Sequence, residues 1–354
     1  MPEGHSVHRI ARQFTRNFAG HQVQASSPQG RFAEGAAVLD GRELQQAMAI
    51  GKQMFVEFED AVWLRVHLGL YGAWDFAGEI FADATIASAN GRMGQTNQRG
   101  TDPALSDDVV FDDAGENSLT SIGAPRTSRV HVRMSEQTKG LADDGEEWPP
   151  PVVGQVRLRL LTDPTPSPPA AFASVGASGR VGPTCADLRG PTACVLQTTD
   201  EMLATAARLG PDPLVGDPAE GEERFVRTVS RKPTPIALLL MDQAVVSGIG
   251  NVYRAEMLFR ARLEPHTPGR DVPEELIREL WRDWVRLLSI GVETGQMMTM
   301  DGLSADEYRA AMASRDDRHW VYHRAGLPCR VCATEIALEE IGARKLYWCP
   351  SCQR

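Results

Sequence analysis

The sequence predicts an α+β protein: an N-terminal β-sandwich with a leading helix, then a helical domain, then a C-terminal zinc ribbon. Three observations carry that prediction. The first half holds short alternating runs bounded by turn residues, HQVQA, KQMFVEFED, AVWLRVHLGLYGAW and VRLRLLTD, which read as half-buried strands of an antiparallel sandwich or barrel. Past about residue 225 the apolar spacing becomes helical. The chain ends in two Cys-x-x-Cys pairs.

The chain has 354 residues, enough for two or three domains with cores of their own. It is 42% hydrophobic and 24% charged, with a net charge of −10, ordinary values for a globular protein. No apolar run approaches the ~18 residues of a membrane span. The start, MPEGHSVHRIARQF, has no signal-peptide apolar stretch, so the expected compartment is the cytoplasm. These features exclude a membrane protein, a secreted disulfide scaffold and a disordered chain.

The leading helix starts just after Pro2, with Val7, Ile10, Ala11, Phe14 and Phe18 on one face and Arg9, Arg12 and Arg16 on the other. Residues 101–150 carry eleven acidic and four basic groups, so much of the acidity is local. That stretch and the Pro/Ser/Gly-rich run from Asp163 read as solvated loops. LGPDPLVGDPAEGEE, from Leu209, reads as a linker. After it come an apolar helix in PIALLLMDQAVV, a tight turn SGIG, a second helix NVYRAEMLFRARL and a longer third helix, VPEELIRELWRDWVRLLSIGVETG. The expected divisions are a β-sandwich domain at 1–205 with long loops, a linker at 206–224, a helical domain at 225–310 and a ribbon at 311–354.

Cys329 and Cys332 (CRVC) are separated from Cys349 and Cys352 (CPSC) by 16 residues. Four thiolates so spaced suit one structural zinc ion, with two short strands around Gly342 between the knuckles. Two disulfides are the rival reading, disfavoured in a reducing cytoplasm. Cys185 and Cys194 stand apart and read as small buried thiols. Between Arg318 and Arg354 six basic residues face three acidic ones, so the ribbon is locally +3 in an acidic chain.

The start MPEG, the element DQAVVSGIGNVYRAEMLFRARLEP and the ending RKLYWCPSCQR together resemble the formamidopyrimidine-DNA glycosylase and endonuclease VIII family, in order and over nearly the whole length. The resemblance implies that the helical part is a helix-two-turn-helix DNA-binding domain. It also implies a bifunctional DNA glycosylase and abasic-site lyase of base excision repair. Pro2 is then the nucleophile: once Met1 is removed it exposes a secondary α-amine, whose class has a pKa of roughly 7.7–8.0 against ~10.4 for lysine. Attack at the sugar C1′ would release the damaged base and leave an imine that drives strand cleavage by elimination. Glu3 is the implied proton donor and acceptor for the sugar oxygen. The same two residues also suit a helix start, where proline and a first-turn carboxylate are favoured.

The resemblance gives Lys52, Asn251 and Arg344 as phosphate contacts. Taken alone, a strand lysine is a solvated residue and an asparagine at that place is an N-cap. Phosphate contacts fix register, whereas the lesion is selected once the nucleotide leaves the stack. HLGLYGAW is similar to the endonuclease VIII branch, which makes Leu70 and Tyr71 the wedge that fills the gap; a strand-to-turn core pair is the alternative. That branch implies oxidised pyrimidines as substrates.

Two departures stand out. His5 and Ser6 replace the family's common Pro-Glu, and Gly69 precedes Leu70 where a larger polar residue is common. His5 and His8 read as polar helix residues rather than metal ligands. The expected partner is damaged DNA, gripped by a basic cleft despite the acidic total, since local Lys and Arg displace counterions. No membrane partner, no small-molecule cofactor beyond zinc and a monomeric, nucleoid-associated enzyme are expected. The rivals are a noncatalytic binder of damaged or abasic DNA and a zinc-ribbon transcription or RNA-associated factor.

Overall fold

The computed structural model describes residues 2–78, 121–123, 148–162, 183–314 and 317–354. These fall into two compact units. One contains residue 2, residues 6–78 and the described residues up to 204; the other contains residues 3–5 and those from 205 onward. Most of the acidic 101–150 stretch and nearly all of the run from Asp163 lie outside the described residues.

The first unit is built on nine antiparallel strands: β1 (His21–Ser26), β2 (Glu43–Ile50), β3 (Gln53–Phe58), β4 (Val62–His67), β5 (Ala73–Gly78), β6 (Ser121–Gly123), β7 (Val156–Thr162), β8 (Thr184–Arg189) and β9 (Ala193–Gln197). Their order is β6-β5-β8-β7-β1-β2-β3-β4-β9. Strand β1 belongs to two sheets: His21 and Gln22 pair with β2, and Val23 to Ser26 pair with β7. Changing partner midway lets one continuous ladder turn into a sandwich.

The inward positions of both sheets form one core with helix α1 (Gly4–Asn17). Phe14 of α1 and Phe18 just beyond its end meet Phe76, and Phe14 also packs edge-on against Trp74, 4.7 Å between centroids. Arg9 departs from the amphipathic expectation: it is 5% exposed, while Arg12 and Arg16 are exposed. The run AVWLRVHLGLYGAW is not one strand but β4, a turn at 69–71 and β5. Helix α2 (Ala33–Leu39) and strands β2, β8 and β9 had no strong alternating signal.

After helix α3 (Thr199–Ala207), the stretch expected to be a linker is packed and partly helical. Ser247 Oγ donates to Gly210 O at 2.8 Å, and Ser247 N–H donates to Pro211 O at 3.0 Å. Helix α4 (Pro218–Val229) begins inside it, with Asp217 capping Ala219 N–H and Pro218 in the first turn, where its missing donor costs nothing. The apolar run PIALLLMDQAVV yields only the four-residue helix α5 (Ile236–Leu239). Asp242 ends it: its side chain accepts from Ala244 N–H and its carbonyl from Val245 and Val246 N–H, a local turn that competes with further helix. Helices α6 (Asn251–Arg260), α7 (Glu274–Thr294) and α8 (Ala305–Ala313) follow. α7 stops at Gly295, in the left-handed conformation at φ 72°.

The ribbon hairpin, β10 (Ala337–Ile341) and β11 (Arg344–Trp348), turns through Gly342 and Ala343, both at positive φ. It shares one core with the helices: Leu346, Tyr347 and Cys349 cluster with Phe259, Leu280 and Trp284.

Candidate active site and nucleic-acid interface

The chain start is anchored in the second unit by the S-G-I-G-N turn. Gly4 N–H donates to Gly248 O at 2.9 Å. The Glu3 side chain, fully buried, accepts from Gly250 N–H at 2.9 Å and Val252 N–H at 3.0 Å. Glu3 thus occupies the N-terminus of α6, where free N–H groups and the positive dipole end stabilise an anion. Gly250 is required by space: a Cβ there would lie 2.6 Å from Glu3 Cγ and Oε1. His5 packs edge-on against Tyr253 at 5.6 Å, and a Cβ on Gly291 would lie 2.9 Å from His5 Cβ. Burial raises the Tyr253 phenol, with Glu3 adding to it, so that hydroxyl stays protonated. Pro2 is buried and covalently joined to Glu3, so the imino group can lie no further away than one residue.

Asn251 is the first residue of α6 rather than its cap; Gly250 holds the cap position. The asparagine amide is therefore free for another task. Its Nδ2 donates to Lys345 O at 2.8 Å, and its Oδ1 accepts from Arg254 Nη2 at 2.5 Å. Lys345 is in β11 beside Arg344, which is exposed directly after the hairpin turn. Glu3, Asn251 and the Arg344 hairpin are thereby gathered at one end of α6.

Cys329, Cys332, Cys349 and Cys352 place all four sulfurs within 4.8 Å of one another, and all are free thiols. The sulfurs of Cys332 and Cys349 are 3.4 Å apart and those of Cys329 and Cys352 3.9 Å. A tetrahedron with Zn–S of about 2.3 Å needs sulfurs about 3.8 Å apart, so the donor set fits one zinc ion. Gln353, 1% exposed, ties the second knuckle down: Oε1 accepts from Cys349 N–H and Nε2 donates to Leu263 O. Cys185 and Cys194 are buried sheet thiols, both pushed up to about 12 by burial and so unreactive.

In the first unit, Lys52 sits not in a strand but on the two-residue turn between Ile50 and Gln53, with Gly51 at φ 58°. Gln53 pairs with His67 at the end of β4, which puts Lys52 and His67 at one sheet corner. Burial lowers the His67 pKa, and Lys52 and Arg65 lower it further. His67 opens the HLGLYGAW run, but its place beside Lys52 comes from its register with Gln53. Its Nδ1 lies 3.1 Å from Thr192 Oγ1, and its carbonyl accepts from Thr192 N–H. The following turn exposes Leu70 by 40% and Tyr71 by 80%, so they are not a core pair. Gly69 is at φ +68° and a Cβ there would collide with Thr192 Oγ1, which excludes the larger residue common at that place.

An N-terminal β-sandwich, a helical module with a glycine turn, and a four-thiolate ribbon define the class of zinc-ribbon DNA glycosylases. Residues 1–165 match the model of the formamidopyrimidine-DNA glycosylase N-terminal domain. Residues 209–301 match that of the formamidopyrimidine-DNA glycosylase H2TH domain, and 326–354 that of the zinc finger found in FPG and IleRS. "Endonuclease 8 1" of Mycobacterium tuberculosis is 34% identical over 355 residues, covering 100% of both chains. The formamidopyrimidine-DNA glycosylase of Thermus thermophilus is 37% identical over 146 residues, 41% of this chain and 54% of that one. Lactococcus lactis Fpg, solved with an abasic site containing DNA, has the same fold at a TM-score of 0.62, 16% identity and 99% coverage of each chain. Thermus thermophilus MutM has it at a TM-score of 0.56, 21% identity, over 99% of this chain and 98% of that one.

The chain belongs to the formamidopyrimidine-DNA glycosylase and endonuclease 8 family, and is a DNA glycosylase with abasic-site lyase chemistry acting in base excision repair. Its cofactor is one structural zinc ion. Among the described residues no helix is long and apolar enough to cross a membrane.

Proposed function

We propose that the protein excises oxidised bases, principally pyrimidines, from damaged DNA through an imine on Pro2 and then cleaves the strand by elimination. The observation that carries this is the Glu3 carboxylate fixed on two backbone N–H groups next to Pro2. A carboxylate so held is positioned beside the attacking amine, where it can pass a proton to the opening sugar and stabilise the developing cation. An α-amine near a helix start is more readily neutral than a lysine, as a nucleophile must be.

Lys52, Asn251 and Arg344 would each hold a backbone phosphate; the guanidinium fork of Arg344 suits that contact. The exposed Leu70–Tyr71 turn would fill the vacated stack. The pyrimidine preference rests on the likeness of HLGLYGAW to the endonuclease VIII branch. In this reading residues 1–205 are catalytic, 225–310 and 311–354 clamp the DNA, residues 206–224 join them, and the enzyme works as a cytoplasmic, nucleoid-associated monomer.

The test is borohydride trapping on a duplex containing an abasic site, with the N-terminus checked by mass spectrometry. A covalent adduct mapped to Pro2 is expected, lost in a form that retains Met1. Normal duplex binding without any adduct would replace this reading with a noncatalytic damaged-DNA binder.

A further inference from the structure

Arg254 is out of place by every criterion of stability. It is 0% exposed, it lies in the first turn of α6, where the helix dipole disfavours a cation, and it makes no ion pair among the described residues. Its Nε and Nη1 are buried without a hydrogen-bond partner among the described residues. Burial pushes the guanidinium down to about 10, with Glu3 opposing and Arg344 adding like-charge repulsion, so it is still a cation near neutral pH. A leucine or methionine would fill the same space without those costs.

Its hydrogen bonds show what the charge accomplishes. A single nitrogen, Nη2, donates to Asn251 Oδ1 at 2.5 Å and to Lys345 O at 3.1 Å, while Asn251 Nδ2 donates to that same carbonyl at 2.8 Å. Arg254, Asn251 and the Lys345 carbonyl close a three-membered network joining the start of α6 to the ribbon strand that carries Arg344. Without the guanidinium, Asn251 would lose the acceptor contact that sets which way its amide faces, and the hairpin would keep only one of its two donors there.

We propose that Arg254 is a positioning residue that locks Asn251 and the Arg344 hairpin into one phosphate-binding unit. This rests on the assignment of Asn251 and Arg344 to DNA contact. The arginine acts through those two groups rather than on the phosphate, so its effect should appear in DNA affinity and not in the chemical step. Its buried, poorly compensated cation is a stability cost retained for that function.

The test uses the full-length, zinc-loaded protein and a duplex carrying a stable abasic-site analogue. R254M, R254K, N251A and the double variant N251A/R254M are compared for affinity, melting temperature, zinc content and saturating single-turnover rate on an abasic duplex. R254M should weaken binding by about tenfold or more, the scale of one hydrogen bond involving a charged group. Its melting temperature should be equal to wild type or higher, its zinc content and saturating rate should stay close to wild type, and the double variant should bind no worse than N251A. R254K, which keeps a cationic donor at this position, should recover much of the loss. Wild-type affinity in R254M, or losses that add in the double variant, would overturn the proposal. So would a fall in affinity matched by falls in melting temperature and zinc, which marks a merely structural residue. Should R254M fail to fold, R254Q takes its place against the same outcomes. If N251A itself binds like wild type, the fault lies instead with the assignment of Asn251.

Discussion

Replacing Gly250 with alanine tests the active-site geometry without touching any reactive group. The backbone there, φ −121° and ψ −160°, is open to any residue, so the substitution strains no dihedral angle. The added Cβ would lie 2.6 Å from Glu3 Cγ and Oε1 and closer still to Cδ, whereas ordinary contact begins near 3.4 Å. The carboxyl group must therefore retreat by about 1 Å, which breaks or badly stretches the bonds from Gly250 N–H and Val252 N–H, now at 2.9 and 3.0 Å. Bonds to a charged acceptor contribute roughly 1.5–3 kcal/mol each, so a stability loss of about 2–4 kcal/mol is expected after partial relaxation. A 1 Å misplacement of a catalytic group costs about a hundredfold in rate. Single-turnover cleavage of an abasic duplex reads the rate and thermal melting the stability, with zinc content as the control for folding. Wild-type rate and melting temperature in G250A would refute the claim that Glu3 works from this seat.

Three further outcomes are expected. Leu70→Ala and Tyr71→Ala, at 40% and 80% exposure, should leave the melting temperature within about a degree while slowing excision from duplex DNA; a large loss of stability would show a core role instead. Stripping the metal with a chelator, or Cys349→Ser, should release one zinc per chain by elemental analysis and abolish duplex binding, because the hairpin bearing Arg344 and Lys345 hangs between the knuckles; full binding by zinc-free protein would contradict this. For His67 the folded-state pKa is lowered from its ordinary value, so the unfolded chain binds the proton more readily. Stability should be complete above about pH 6.5 and fall as pH drops below it, and His67→Gln should flatten that slope in pH-dependent denaturant melts; an unchanged slope would exclude His67 as its source.

The order of the sandwich, helical and ribbon parts and the zinc ligands were legible because each leaves a local mark: period-2 alternation, period-3.6 alternation, and cysteine pairs at fixed spacing. What escaped depended on long-range packing. Residues 210–213 look like a linker by composition, but the second unit uses them as a wall, with Gly210 N–H on Gln243 O and Ser247 on Gly210 O. PIALLLMDQAVV looks like three turns of helix, yet Asp242 diverts its second half into turns that shape the S-G-I-G-N approach. Asn251 looked like a helix cap because asparagine is good at it; the cap passed to Gly250, since only a residue without a side chain fits against Glu3. His67 and Arg254 lie inside the quoted runs HLGLYGAW and NVYRAEMLFRARL, but their roles could not be read there, because each is defined by a partner, Lys52 or Lys345, that lies next to it only in the fold.

The glycines of S-G-I-G-N make the general point sharply. Gly248 is at φ 92°, a conformation that favours glycine in any turn, and a sequence reading finds it without further help. Gly250 is in ordinary extended backbone, so nothing local demands it. Its reason is 247 positions away along the chain, in the Glu3 carboxylate that occupies the space of its absent side chain. Gly4 is constrained in the same manner, since a Cβ there would stand 2.9 Å from Gly248 Cα. Two glycines on one segment and one on the other thus let two backbones approach until the chain start can be hydrogen-bonded to a helix N-terminus. Removing any of the three should shift Glu3, and with it the residue bonded to it, Pro2. On the proposed chemistry, Pro2 and Glu3 depend for their placement on a turn 247 positions later, and substitutions in that turn should mimic active-site mutations while leaving every reactive side chain in the sequence.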